Sequence, residues 1–331
     1  MNLAINGFGR IGRQAFKIAF GRKNINIVAI NDLTDSKTLA HLLKHDTSYR
    51  EWERKVSFDE KHIVVDGKKI PVYAEKDPAA LPWKTLKIDT VLECTGRFTK
   101  RDGAELHIKA GAKRVIISAP GKGGEIPTYV RGVNCSQVKK EKSAVINNAS
   151  CTTNCIAPVM AVLEETFGIK KAMMSTVHGY TADQNLQDGP HKDLRRARAA
   201  AENIVPTTTG AAKAVGEVIP NLKGIFDGIS LRVPILTVSL ADITAVLKKK
   251  VTKEEINKAL IDASKTPRFK NVLITTTEEL VSSDFIANPY SSIVDLNLTN
   301  VVDGDLVKVI AWYDNEMGYS YRLVEMAELF C

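Results

Sequence analysis

The sequence predicts an α/β protein in which a doubly wound parallel sheet is followed by an α+β region built on a largely antiparallel sheet. Three observations predict it. Through about residue 150, short apolar runs alternate with segments of helical period; a glycine-rich turn stands at the first junction between them; beyond it the apolar runs lengthen and the alternation stops. The chain has 331 residues, 44% hydrophobic and 25% charged, which excludes disorder and fibre and suffices for two cores of modest size.

The strand-like runs of the first part are 3–6, 25–31, 90–94, 115–118 and 145–147, with a helix-period segment at 11–20. Residues 62–73 interrupt this rhythm with a hairpin around Asp66-Gly67, read as an insertion at a sheet edge. A helix over 152–167 then leads into β-like runs at 171–177, 228–233, 236–247 and 306–313. The segment 179–203, polar and crowded with Asp, Arg and Gly, is too long for a simple connection and reads as a functional loop. The expected domains are therefore 1–150 and 151–315, with a last helix, 316–331, returning to the first.

Lys and Arg exceed Asp and Glu by 46 to 38, a net charge of +8 that would attract anions, but the excess is spread along the chain and does not by itself indicate nucleic acid. No RNA-binding module is recognisable, so nucleic acid is not required, although a non-catalytic RNA-binding role is the alternative from another functional class. The start lacks a basic segment followed by an apolar one, and no run is long enough to span a bilayer; a cytoplasmic location is expected. Five cysteines (Cys94, Cys135, Cys151, Cys155, Cys331), sparse and without CxxC pairs, signal neither disulfides nor a metal site.

Gly7-Phe8-Gly9-Arg10-Ile11-Gly12 follows the first strand and opens a helix, as in a Rossmann-type βαβ unit. Gly7 permits the tight turn, Gly9 lets the backbone approach a pyrophosphate, Gly12 allows close helix–strand packing, and the helix N-terminus offers N–H groups to the anion. Asp32, twenty residues past Gly12 at the end of the second strand, suits ribose hydroxyls and repels a 2′-phosphate, which favours NAD over NADP. The same glycines would also serve a plain βα turn.

In Ser150-Cys151-Thr152-Thr153-Asn154-Cys155 a strand gives way to a helix at Cys151, where the helix N-terminus stabilises a thiolate and its N–H groups can hold an oxyanion. A packed, inert thiol is the competing reading, and the one that suits Cys155. Of six histidines, His41, His45, His62, His107 and His191 lie in polar or helix-like contexts suited to the surface; His178 ends an apolar run beside the 179–203 loop, where an imidazole could act as a base. Sequence alone does not bring Cys151 and His178 together.

Taken with Asn6 to Arg13 and Trp312-Tyr313-Asp314-Asn315-Glu316, the Cys151 segment closely resembles phosphorylating glyceraldehyde-3-phosphate dehydrogenases, and the likeness covers nearly the whole length. Asp188 to Arg196, Thr208 to Ala214 and Leu231 to Pro234 extend it. The resemblance implies a Cys151 nucleophile with His178 as base, NAD-dependent oxidation of glyceraldehyde 3-phosphate through a thioester, and release of the acyl group to inorganic phosphate. It implies that Thr181, Asp183, Arg196 and Arg232 surround the aldehyde's phosphate, while Ser150, Thr152, Thr209 and Gly210 receive inorganic phosphate. Gly9, Arg10, Ile11, Asp32, Thr95, Gly96 and Ser118 would line the cofactor, with Asn315 on the nicotinamide carboxamide and Tyr319 nearby. Asp183 stands where other members have Thr, and an acid beside a phosphate makes sense if it orients Arg196 or a threonine. The resemblance also implies a homotetramer. Erythrose-4-phosphate dehydrogenase, which resolves its thioester with water, is the nearest alternative enzyme.

Overall fold

The computed structural model describes residues 1–123 and 126–330; Cys331 lies outside them, so the expected terminal helix is followed only to Phe330. The chain divides into two compact units: Met1–Tyr129, Cys135–Ala149 and the segment from Ser320 form the first, and Val130–Asn134 with Ser150–Tyr319 the second.

The first unit runs β1 (Asn2–Asn6), α1 (Arg10–Phe20), β2 (Asn26–Asn31), α2 (Ser36–Lys44), the two-residue strands β3 (His45–Asp46) and β4 (Arg50–Glu51), then β5 (Val56–Asp59), β6 (His62–Val65), β7 (Lys68–Tyr73), β8 (Thr90–Glu93), α3 (Arg101–Lys109), β9 (Arg114–Ile117) and β10 (Val145–Asn147). Its eight-stranded sheet has the order β10-β9-β8-β1-β2-β7-β6-β5. From β10 to β7 the pairing is parallel, and the strands are apolar because both faces are covered; Leu3, Ala4 and Ile5 are completely buried. The β6–β7 hairpin turns at Asp66 and Gly67, both with positive φ. It lies at one edge of the sheet, as the sequence suggested: Val72 and Tyr73 pair in parallel with Ile30 and Asn31, so the hairpin and β5 extend the sheet on that side.

One histidine corrects the sequence reading. His107, expected at the surface, is completely buried, because α3 turns it inward onto Trp83 and Glu93. Its polar neighbours in sequence disguise a position whose hydrogen-bond partners come from distant segments.

The second unit contains α4 (Cys151–Phe167), β11 (Ile169–Gly179), β12 (Val205–Thr208), α5 (Ala211–Val218), β13 (Phe226–Val233), β14 (Ser239–Leu247), α6 (Lys253–Ser264), β15 (Leu273–Thr276), β16 (Ser292–Val302) and β17 (Leu306–Tyr313). Their sheet order is β12-β13-β11-β14-β17-β16-β15, parallel at β11–β13 and β15–β16 and antiparallel at the other four pairings. The run expected from 236 begins as a strand only at Ser239, since Val238 takes a left-handed φ of 72° that breaks the extended backbone. Strand β16, eleven residues long, does not stand out in the sequence because buried Asp295 interrupts its apolar pattern; Trp312 Nε1 donates to that carboxylate at 3.3 Å. The last helix, α7 (Met317–Phe330), starts in the second unit and continues in the first, where Leu323, Val324, Met326 and Ala327 are buried.

Candidate active site

In the first unit the carboxyl ends of β1, β2 and β8 surround a cavity of about 290 Å³ lined by Asn6, Gly7, Gly9, Asn31, Asp32 and Thr95, among others. Ligands of open parallel sheets occupy this position. Gly7 has φ +90°, and a Cβ there would come within 2.7 Å of Thr95 N; a Cβ on Gly12 would lie 2.1 Å from Gly7 O. Gly9, by contrast, faces open space and caps α1 without any side-chain bond, so the start of this helix is open to the close approach of an anion. Asp32 is anchored by N–H bonds from Phe8 at 2.7 Å and Thr34 at 3.0 Å. These features fit a dinucleotide. The Arg10 guanidinium donates to Asp46 at 2.7 Å. Gly96, with φ +70°, follows Thr95 in the turn after β8, and Ser118, at the end of β9, hydrogen-bonds Cys94.

In the second unit Cys151 is the first residue of α4, whose N-cap Ser150 accepts a bond from Thr153 N at 3.0 Å. His178 lies near the end of β11, and its Nε2 is 3.5 Å from Cys151 Sγ. Gly179 O lies 2.6 Å from His178 Nδ1, so Nδ1 carries the hydrogen and Nε2 presents its lone pair to the thiol. Arg232, paired with His178 across β13 and β11, donates from Nη1 to Thr181 Oγ1 at 2.9 Å and Gly179 O at 3.2 Å.

Burial pushes the Cys151 thiol up, against the pull of Arg232 and of the Thr152 hydroxyl and backbone N–H. The backbone N–H groups at the helix start thus pull in the direction that favours a thiolate, and desolvation outweighs them. Burial first, and then Arg232, push His178 down from 6.5 to about 3. Without ligand, the pair is a thiol facing a neutral imidazole. The unfolded state therefore binds the extra proton between pH 6.5 and 3, so this contribution to stability is complete above the window and fades as acid is added. His178→Asn should flatten the acid-side slope of unfolding free energy, removing roughly 1.4 kcal/mol per pH unit within that window. Denaturant titrations from pH 7 to 4 would measure it.

Two polar clusters adjoin this pair. A chain of contacts runs from Arg232 to Thr181, from the Thr181 hydroxyl to Asp183, and from Asp183 to Arg196, whose Nε donates to Thr207 Oγ1 at 3.0 Å. Burial raises the Asp183 carboxyl, but Thr181, Arg232 and Arg196 outweigh it and hold the group below its ordinary value. The Asp183 carboxylate thus contacts both Thr181 and Arg196. Elsewhere, the first turns of α4 and α5 meet: Thr153 Oγ1 lies 2.8 Å from Ser150 Oγ and donates to Ala211 O at 3.3 Å. Gly210 caps α5 without a side-chain bond, and Thr209 Oγ1 accepts from Ala211 N at 3.2 Å. Two helix N-termini thus come together with hydroxyls between them, an arrangement of the kind that suits an anion.

Several contacts went unassigned in the sequence. Buried Tyr313 places its hydroxyl 2.8 Å from both Thr152 Oγ1 and Thr176 Oγ1, joining α4 to β11 under the cysteine. The Thr152 side chain is therefore turned inward. Asp314, not Asn315, caps α7 by accepting from Glu316 N and Met317 N at 2.9 Å, while Asn315 Oδ1 accepts from Ser239 Oγ at 3.1 Å. Tyr319 is buried in the first turn of α7. Tyr313 and Asp314 belong to the Trp312–Glu316 motif, but only a structure shows what they touch. Among the described residues no cluster of three or more His, Cys, Asp or Glu could hold a metal, and no helix is long and apolar enough to cross a membrane.

Residues 1–101 match the family model of the glyceraldehyde 3-phosphate dehydrogenase NAD binding domain, and 150–315 that of the C-terminal domain. Among similar proteins, the glyceraldehyde-3-phosphate dehydrogenase of Borreliella burgdorferi is 55% identical, over 99% of both chains. Those of Geobacillus stearothermophilus and Streptomyces coelicolor are 53% and 52% identical, over 99% and 98% of this chain and 97% of their own. The dinucleotide cradle, the cysteine–imidazole pair and these full-length matches lead to one conclusion: the chain belongs to the glyceraldehyde-3-phosphate dehydrogenase family and is an NAD-dependent oxidoreductase.

Proposed function

We propose that the protein oxidises glyceraldehyde 3-phosphate to 1,3-bisphosphoglycerate through a thioester on Cys151. The observation that carries this reading is the 3.5 Å approach of Cys151 Sγ to the unprotonated Nε2 of His178 at the start of α4. His178 takes the thiol proton as sulfur attacks the aldehyde carbon, and the N–H groups at the start of α4 stabilise the oxyanion. NAD, when bound, would supply the hydride acceptor for the resulting hemithioacetal. His178 first returns the thiol's proton to the oxyanion, which completes the hemithioacetal, and as a neutral base again takes the hydroxyl proton while the hydride leaves, so that the thioester remains. Phosphate oxygen then attacks the acyl carbon and the Cys151 thiolate departs, which conserves the oxidation energy as an acyl phosphate.

In this reading Arg232, Thr181 and Arg196, the last two oriented by Asp183, hold the phosphate of the aldehyde, while Ser150, Thr152, Thr209 and Gly210 receive inorganic phosphate. Because the Thr152 hydroxyl is engaged by Tyr313, its contribution there is its backbone N–H. On the cofactor side, Gly9, Arg10, Ile11, Asp32, Thr95, Gly96 and Ser118 bind the dinucleotide, and Asn315, with Tyr319 near it, orients the nicotinamide. The exposed side chains of Leu186 and Leu194 on the long loop, and of Ile204 just after it, support assembly into a homotetramer. The chemistry fits a cytoplasmic enzyme.

An assay varying NAD, NADP, phosphate, glyceraldehyde 3-phosphate and erythrose 4-phosphate tests this: turnover should require phosphate and NAD and favour the triose. Phosphate-independent release with the tetrose would overturn the reading. Arg232→Ala should raise KM for glyceraldehyde 3-phosphate by about ten- to a hundredfold, the scale of a lost charged hydrogen bond. Steady-state kinetics with unphosphorylated glyceraldehyde provide the control, since an equal loss there would argue against the anion role.

A further inference from the structure

Beneath the dinucleotide cavity lies a chain of buried polar groups that the reaction above does not use. Glu93, at the end of β8, and His107, on α3, are 1% and 0% exposed. Four donors converge on the Glu93 carboxylate. Oε1 accepts from Thr95 N at 2.8 Å and from the Thr95 hydroxyl; Oε2 accepts from Asn6 Nδ2 at 2.5 Å and faces His107 Nε2 at 3.1 Å. Asn6 Oδ1 in turn accepts from Asn31 Nδ2 at 2.7 Å, and Asn31 exchanges bonds with the backbone of Glu75 at 2.9 Å. Asn6, Asn31, Glu75 and Thr95 all line the cavity; Glu93 and His107 stand behind them.

The direction of every bond is fixed from the far end. Trp83 Nε1 is a donor only, and it lies 2.9 Å from His107 Nδ1. His107 Nδ1 must accept, so the ring hydrogen sits on Nε2 and is donated to Glu93 Oε2. Asn6 Nδ2, 3.3 Å from the same Nε2, points its hydrogen at that oxygen too. With Oε2 filled by two donors and Oε1 by two more, the carboxylate has no latitude to turn, and neither do the Asn6 amide or the Thr95 turn. Gly7 packs against that turn, as the 2.7 Å separation of a Gly7 Cβ from Thr95 N indicates.

We propose that Glu93, backed by His107 and Trp83, is a positioning residue for dinucleotide binding: it holds Asn6 and Thr95 at the floor of the cradle in the orientation the ligand meets. The inference rests on reading this cavity as the NAD site, which titrating the unsubstituted protein tests separately.

Glu93→Gln replaces Oε2 with an amide that presents hydrogens to two donors. Either the Asn6 amide turns over or His107 changes tautomer and strands Trp83 Nε1. The dissociation constant for NAD, measured calorimetrically on the apo protein, should rise about tenfold or more, the scale of one charge-assisted hydrogen bond. Combining Glu93→Gln with Asn6→Asp gives each displaced donor an acceptor again: the amide introduced at position 93 donates to the carboxylate introduced at position 6, His107 Nε2–H turns from position 93 to that carboxylate across the 3.3 Å gap, and Asn31 still finds an acceptor. Most of the affinity should return. Wild-type affinity in E93Q, or a double variant that binds no better than E93Q, would overturn the proposal. So would a fall in unfolding midpoint with an unchanged dissociation constant, which would assign the network to the fold alone. Should E93Q not fold, the double variant and the histidine 15N spectrum of the unsubstituted protein decide: near-native binding and an Nε2–H His107 support the proposal, and weak binding or an Nδ1–H tautomer overturns it. Failure of the unsubstituted protein to bind NAD would instead refute the reading of the cavity.

Discussion

Cys151→Ser should lower kcat by roughly 10⁴-fold or more, the scale on which removal of a covalent nucleophile acts. The substitution exchanges one atom, and Ser150, the N-cap that sets the start of α4, is retained. What changes is the nucleophile. Burial already pushes the thiol up, and a hydroxyl loses its proton far less readily, while the imidazole facing it is pushed down to about 3 and is a weak base. Sulfur tolerates that base because it is nucleophilic at a small thiolate fraction; oxygen does not. Cys155 cannot take over, since it is completely buried, bonds toward Ser292 and Ala311, and has its thiol pushed far up by burial. Stopped-flow measurement of NADH should show neither a burst nor a steady state, and intact mass should show no acyl-enzyme. A variant within tenfold of wild type would remove Cys151 from the chemistry.

The α/β class was readable because it is written in periods. Buried parallel strands such as Leu3-Ala4-Ile5 are apolar throughout, and the helix Arg10–Phe20 begins where Gly7 and Gly9 end the strand. Elsewhere a single residue broke the pattern: Asp295 hid β16, and Val238 moved the start of β14 from 236 to Ser239, because each answers to a tertiary contact or a local φ that composition does not carry. The reactive centre was only half legible. Cys151 and His178 each stand at an informative strand end, but their separation depends on α4 packing beside β11. Tyr313 secures that packing, and its partners Thr152 and Thr176 lie more than a hundred residues away in sequence. His107 was misread for the same reason: Trp83, Glu93 and Asn6 make its site, and none of them is its neighbour in the chain.

His178→Asn should lower kcat by about 10²- to 10⁴-fold, the range of a general base, with Cys151 retained. Asparagine can occupy the space and donate toward Gly179 O, yet it offers no lone pair of comparable basicity to Sγ at 3.5 Å. Both proton transfers suffer: the thiol must ionise into solvent before attack, and the hemithioacetal hydroxyl must lose its proton unaided. Alkylation of Cys151 by iodoacetamide should therefore slow at neutral pH and recover as pH is raised, because hydroxide replaces the missing base. The loss should be equal for glyceraldehyde 3-phosphate and unphosphorylated glyceraldehyde, since the imidazole acts on the reacting carbon and not on the distant phosphate. Arg232→Ala should give the opposite pattern. That contrast tests the two residues against each other: they touch through His178 Nδ1 and Arg232 Nη1 at 3.1 Å, so a variant that merely disordered the pair would depress both substrates in both cases. Substrate-dependent loss for Arg232 and substrate-independent loss for His178 can arise together only if one binds the anion and the other moves the proton.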